Sequence, residues 1–408
     1  MHTLLKSQSA DPMANFHLAD RLDPPSLANT GISPRLRQKL LSMHVTSFDW
    51  KQGGLKTPIK FLDRDSIEYS LNQAAMHDKN EERMARLSLT NGMGLLDPDN
   101  GGIYQFATQN SWQQSHYSKT IAAQAGSLRL YALAHALLRE HDFLKTARNI
   151  RDYLREKLLT PEGVFQSLPS RTVVHIDEYK SGDRQSLAQI STRENGWTIE
   201  ALATFYEFSG DPSALAMAKN AAEWISSNRR VSDGGFKANG LSEKCLQLSD
   251  NLAMARAFLQ MYRATTDTRY LRFADDTAKF ICSNFSNTVA GFNSYTANVR
   301  DQSIAPQIDE NICLSRFLNL LYYYTDKNEY LEMARHGLRY LAIPQVATSR
   351  MEEAGILLLD EEISSTPLKV IIMADKNDRK AAKLQENALR TFGWYKVIHW
   401  QDAKSNAV

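Results

Sequence analysis

Three pairs of neighbouring residues, Glu194-Asn195, Asp250-Asn251 and Glu310-Asn311, recur along the chain at spacings of 56 and 60 residues. Carboxylates paired across a pocket could act as general acid and base on a glycosidic bond or on a sugar carbon, and the adjacent amides could hold a polyol. The same residue types near a helix start also cap its free N–H groups and favour its dipole. A single pair reads first as a cap. Three in register bring the two readings level, although a repeat copies its caps as well as its sites.

Two further segments could carry chemistry. The first is Tyr104-Gln105-Phe106, then Trp112, then His116-Tyr117-Ser118-Lys119. Tyr104 and Trp112 suit the apolar faces of sugars, while His116 and Lys119 could move protons or bind an anion; the alternative is a loop packed on the mouth of the fold. The second is the long insertion from Pro161 to Arg193, with Glu162, His175, Asp177, Glu178, Asp183 and Arg184. A loop of this length reads either as a lid or as a solvated charged loop. His175, Asp177 and Glu178 lack a second histidine at helical spacing, so no metal site is expected there.

The elements that position these residues follow from a repeat. Counted from each asparagine, position +11 is Tyr206, Tyr262 and Tyr322, and position +23 is Ala218, Ala274 and Ala334. Positions +20 (Leu215, Leu271, Leu331) and +30 (Ile225, Ile281, Leu341) complete one stripe of a helix. A fourth copy starts at Gln124 and has Ala123 where the others have an acid. Each repeat therefore predicts a helical hairpin. Between hairpins, glycines precede an apolar residue (Gly102-Ile103, Gly163-Val164-Phe165, Gly235-Phe236, Gly291-Phe292), a pattern for loops pinned to the core that could hold short β-hairpins.

Twelve helices are predicted, at about 34–44, 65–76, 80–91, 118–139, 142–157, 195–208, 212–228, 250–264, 268–284, 310–324, 328–342 and 352–362. The fold class is all-α. The hairpins could close into an (α/α)6 toroid over 34–363 or form an open solenoid; the varied spacing and long inserted loops favour closure. An irregular arm is expected over 1–33. A small β-α-β appendage is expected over 364–408, from Leu368–Ala374, a helix near 377–392, and Tyr395–Trp400.

Composition removes other classes. Forty-eight Lys and Arg balance 46 Asp and Glu across 408 residues, leaving no basic footprint for nucleic acid or a membrane surface. Cys245, Cys282 and Cys313 form no CxxC, which argues against a disulfide scaffold, a cysteine zinc site or a dithiol couple. The absence of a signal-peptide core or a long apolar run reads as a cytoplasmic protein. Phosphate-cradle, dinucleotide, HExxH and GxSxG patterns are missing, so no cofactor and no metal is expected.

The order Phe48-Asp49, Gly53-Gly54, Lys56, Pro58, Lys60-Phe61, then Gly101-Gly102-Ile103-Tyr104, Trp112, His116-Tyr117-Ser118-Lys119, Glu194-Asn195-Gly196 and Asp309-Glu310-Asn311 resembles the spermatogenesis-associated thioredoxin-domain family. The resemblance covers about residues 48–400 and implies a toroid of the six-hairpin glycosidase kind, similar to N-acylglucosamine 2-epimerases. The family's thioredoxin-like domain has no counterpart in this sequence. Ser118 and Ala123 replace two of its acids. Two functions are therefore expected as alternatives. One is a hydrolase- or epimerase-like toroid acting on a sugar, with Glu194, Asp250, Glu310 and His116 catalytic and Tyr104, Trp112, Lys119, Asn195, Asn251 and Asn311 binding substrate. The other is a non-catalytic scaffold that partners a thioredoxin-like protein.

Overall fold

A computed structural model describes residues 31–113, 115, 118–167, 189–238, 246–296, 305–374, 378–393 and 395–401. Among them, twelve helices build a closed double ring. They are α1 Pro34–Ser47, α2 Arg64–Ala75, α3 Lys79–Gly92, α4 Ile121–Leu138, α5 His141–Tyr153, α6 Thr192–Ser209, α7 Pro212–Arg229, α8 Leu248–Thr265, α9 Thr268–Phe285, α10 Ile308–Thr325, α11 Asn328–Leu341 and α12 Ala354–Ser364. A π-helical turn, Leu154–Leu158, extends α5, and a single helical turn, Pro344–Ala347, follows α11.

Each repeat is a helix, a two- or three-residue reversal and a second helix, as the stripe of apolar residues requires. The reversals use left-handed backbone at Arg139, Gly210, Thr266 and Asp326, each taking its N–H bond back to the preceding helix. The even-numbered helices touch in order, α2 to α4, α6, α8, α10 and α12, and α12 touches α2 again. The ring is therefore closed, not an open solenoid. The outer layer is α3, α5, α7, α9 and α11, with α1 completing it against α12. Every hairpin reverses the chain twice, so all six inner helices run parallel and share one N-terminal mouth.

Inner helices pack closely. A Cβ at Gly196 on α6 would stand 2.7 Å from Ala253 on α8, so the glycine permits the closest of these approaches. The recurring alanines Ala147, Ala218, Ala274 and Ala334 are fully buried between the layers. The ring's seam is polar. His44 on α1 lies between Glu352, 3.2 Å from Nδ1, and Glu81 on α3, 3.2 Å from Nε2. Asp360 on α12 accepts from the Ile32 N–H at 2.9 Å and pairs with Arg37, and Glu361 accepts from Asn72 and Gln73 on α2.

The tail pairs β1 Leu368–Met373 with β2 Lys396–Gln401 in parallel across α13 Arg379–Arg390. Ile372, Ala381, Leu389 and Ile398 form its own small core. It docks where the inner helices end: Tyr324 accepts from the Ile398 N–H, Tyr395 donates to the Glu362 carbonyl at 2.6 Å, and α13 touches α6. The tail thus covers the C-terminal mouth, leaving the N-terminal mouth as the face that carries the acidic residues. No described helix is long and apolar enough to cross a membrane.

Candidate active site

The four repeated amides do not face a ligand. Asn195 Oδ1 accepts from the Phe165 N–H at 2.8 Å while its Nδ2 donates to the Phe165 and Ser191 carbonyls. Asn251 makes the same set with Phe236 and Gln247, and Asn311 with Phe292 and Gln307. Gln124 repeats it on Ile103 and Thr120. All four are completely buried. Each amide replaces the backbone partner that the preceding glycine loop lacks, and so holds Ile103, Phe165, Phe236 or Phe292 in the core. Isolated β-bridges at these four residues are the short hairpins expected in the loops. The hydrogen-bonding capacity of Asn195, Asn251 and Asn311, expected to bind substrate, is taken by main chain. Asn251→Ala should lower stability by about 2–4 kcal/mol, because it leaves the buried N–H and C=O of Phe236 unpaired. A variant with an unchanged melting temperature and a raised KM would restore the ligand role.

Trp112 and Lys119 are likewise engaged by the protein itself. Trp112 is buried and donates from Nε1 to the Gln52 carbonyl at 2.7 Å, so no ring face is available for stacking. Lys119 Nζ binds Asp97 at 2.6 Å and the Gly101 carbonyl at 2.7 Å, and lies 5.2 Å from the centre of the Tyr104 ring. Tyr104 and Lys119 together order the loop that α4 follows. That helix starts at Ile121, not 118, because Thr120 caps it by accepting from the Ala123 N–H. His116, and His175, Asp177 and Glu178 of the insertion, lie outside the described residues.

The carboxylates are a different matter. Glu194, Asp250 and Glu310 sit at the third position of α6, α8 and α10, because these helices begin two or three residues earlier than the sequence pattern suggests. They do not cap their own helices. Asp250 accepts instead from the Arg193 N–H of the neighbouring α6 at 2.9 Å, and Glu310 accepts from the Ser294 hydroxyl at 2.6 Å. Burial pushes Asp250 up to about 6 against the pull of Arg193. Burial also pushes Glu310 up to about 7, with the charges of Asp309 and Asp250 adding and Ser294 and Arg193 opposing. Glu194 is raised by burial as well. Asp63, which caps α2, and Glu353, which precedes α12, are raised by burial to about 7 and about 8. Five of the six inner helices thus bring a carboxylate of raised proton affinity to one mouth; on α4 the equivalent residue is Ala123.

Deeper in the ring lies a charge network that motif reading missed. Arg256 donates to Glu200 at 2.7 Å, and Arg129 Nε stands 3.5 Å from the same carboxylate. Arg129 also pairs with Glu68, which accepts from Arg316 at 3.2 Å, and Arg316 makes a forked pair with Glu362. Arg64 donates to Asp65 at 2.9 Å and to the Cys313 sulfur at 3.1 Å. The signal was present in the repeat. Five residues beyond Gln124, Asn195, Asn251 and Asn311 stand Arg129, Glu200, Arg256 and Arg316, a charge at an otherwise apolar register of every copy. Being paired, these charges repay part of their desolvation, and removing one partner strands the other. A cavity of about 80 Å³ runs between them. It has room for several waters or one compact polar group.

Comparison with known proteins agrees with the fold. Residues 125–312, which run from α4 into α10 and include Glu194, Asp250 and Glu310, match the model of the β-L-arabinofuranosidase GH127 catalytic domain. The cellobiose 2-epimerase of Eubacterium cellulosolvens is 24% identical over 151 residues, a match spanning 35% of this chain and 33% of that protein. The match therefore spans about a third of the curated relative's length. Among solved structures, cellobiose 2-epimerase from Bacillus thermoamylovorans superposes with a TM-score of 0.62 at 11% identity, covering 75% of this chain and 85% of that one. A GH76 α-mannanase from Bacteroides thetaiotaomicron superposes with a TM-score of 0.57 at 12% identity, covering 81% and 86%. The shared feature is the (α/α)6 toroid.

Proposed function

We propose that this chain is a carbohydrate-active toroid, hydrolase- or epimerase-like, working at the N-terminal mouth of the inner ring. The observation that carries the proposal is the pair Asp250 and Glu310, on neighbouring inner helices, with proton affinities raised to about 6 and about 7. Carboxyl groups poised there can both take and give a proton at neutral pH, as sugar hydrolysis or epimerisation demands. Glu310, the more basic, is assigned as the acid, and Asp250 as the partner that is ionised when Glu310 is not. The family match over residues 125–312 supports a glycosidic substrate, and the epimerase relatives support proton exchange on a sugar carbon. The free thiols of Cys282 and Cys313 suit a reducing compartment.

The test is turnover of cellobiose, mannose and β-L-arabinofuranosides followed by NMR, which separates hydrolysis from epimerisation. Glu310→Gln and Asp250→Asn should each lower kcat by about 100-fold or more. The Glu310→Gln protein should also be more stable above pH 7, by about 1–3 kcal/mol at pH 8. Its carboxyl is more basic folded than unfolded, so ionisation opposes folding at high pH and the penalty vanishes in acid. Full turnover in both variants would remove the assignment. Failure of the wild type on every sugar would favour the second reading, a scaffold that docks a thioredoxin-like protein. That reading is motivated by Ser118 and by Ala123, the one inner-helix position at the mouth without an acid.

A further inference from the structure

The luminal cavity lies between the mouth carboxylates and the tail. Arg129, Arg256, Arg263 and Arg316 line it, against Glu200 and Glu362. One layer behind, Glu68 serves Arg129 and Arg316, and Glu207 serves Arg263 and Lys396. Arg64 and Asp65 nearby form a neutral pair. With those neighbours included, Arg129, Arg256, Arg263, Arg316 and Lys396 make five cations against the four carboxylates Glu68, Glu200, Glu207 and Glu362. Among these described residues the cations outnumber the carboxylates by one, around a half-open pocket. Pairing is loosest on the Arg129 side: its guanidinium is shared between Glu68 and Glu200, and its buried Nε stands 3.5 Å from Glu200 without a well-formed hydrogen bond. Burial pushes Arg129 down to about 9 against the pull of Glu200, with the neighbouring Arg256, Arg316 and Arg64 adding to the shift.

We propose that the ligand of this toroid bears an anionic group, a carboxylate or a phosphate, and that Arg129, Arg256 and Arg316 receive that group in the luminal cavity. The inference deepens the carbohydrate reading above and rests on it. Guanidiniums suit the task because their forked donors match carboxylate and phosphate oxygens, and an anion there adds counter-charge beside four clustered arginines. The size agrees: about 80 Å³ admits one compact oxyanion. So does the depth. Arg316 is six residues beyond Glu310 on the same helix, about 9 Å along its axis. The anionic group would sit among the arginines, with the rest of the ligand directed toward the carboxylate mouth. Phe317 and Tyr395 supply apolar wall beside the arginines.

The experiment is isothermal titration of the whole chain with D-glucuronate, D-glucose 6-phosphate, D-glucose, inorganic phosphate and acetate, repeated on Arg256→Met and Glu310→Gln. The expected result is binding of glucuronate or glucose 6-phosphate at least tenfold tighter than of glucose. Which acidic sugar binds distinguishes carboxylate from phosphate. Arg256→Met should lose that preference, whereas Glu310→Gln should keep it. Glucose binding as tightly as the acidic sugars overturns the anion inference and leaves the carbohydrate reading intact. Phosphate or acetate binding as tightly as the acidic sugars keeps the anion site and counts against the sugar. No binding of any acidic probe to the wild type overturns the inference, whatever the variant does.

Discussion

Replacing His44 with alanine should lower the stability of this protein by about 3–5 kcal/mol at pH 7, the usual cost of stranding buried charge. The imidazole is almost completely buried and both nitrogens are engaged, one by Glu352 and one by Glu81, whose carboxylate also accepts from Ser70 at 2.7 Å. Burial alone would lower its basicity, but the hydrogen bonds to Glu352 and Glu81 outweigh that and raise it from 6.5 to about 9. The folded state therefore holds the proton more tightly than the unfolded chain. Its contribution is complete below about pH 6.5 and is lost as pH rises through 9. The stability difference between wild type and the alanine variant, read by urea denaturation, should accordingly shrink between pH 7 and pH 10. A difference that stays constant over that interval would show that His44 is not a cation in the fold. The effect reaches function because His44 joins α1, α3 and the entrance to α12, which is the seam where the ring closes.

The second large effect is expected at Glu207. This carboxylate is fully buried near the end of α6, 2.7 Å from Lys396 Nζ and 2.9 Å from Arg263 Nη2, and it also accepts from Gln260 at 2.7 Å. Lys396 is equally buried, with its remaining donors on the Leu389 and Thr391 carbonyls. Glu207→Ala leaves two cations facing each other without water, at a cost of about 3–5 kcal/mol. The tail should detach first, since β2 is held to the ring by this pair together with Tyr324 and Tyr395. Limited proteolysis should cut the tail early in the variant while the ring remains protected. Adding Lys396→Met should recover part of the loss, because one stranded cation is then gone, with a coupling of about 1 kcal/mol or more in the double-mutant cycle. Additive losses would mean that Glu207 and Lys396 act independently.

Both sites were illegible in the sequence for the same reason. His44 and Glu352 are 308 residues apart, and Glu207 and Lys396 are 189 apart, so no local spacing relates them. Each would pass for an ordinary surface charge on a helix or a strand end. The +5 charges of the inner helices were legible in principle, since they recur in register. They were overlooked because the adjacent acid-amide pairs offered a more familiar pattern. That pattern itself divided in two: at each pair the acid turns to the open mouth while the amide turns back to clamp its loop. Neighbouring residues on a helix are about 100° apart, so one pair cannot serve one ligand from both members.

What the sequence determined by itself was the set of helical hairpins, nearly all their boundaries, and the strand-helix-strand tail. These depend on local periodicity and turn chemistry, which one stretch of chain contains. It also determined that the glycine loops are pinned by the apolar residue that follows. Tertiary structure alone decided that the ring closes, because closure is made where α12 meets α2 and α1, the two ends of the chain's ring, which share no repeat. It alone decided which polar residues are working groups. Proton affinity and unpaired charge are set by what surrounds a side chain, and in this toroid those surroundings come from helices about sixty residues away around most of the ring and nearly three hundred away where α12 meets α2.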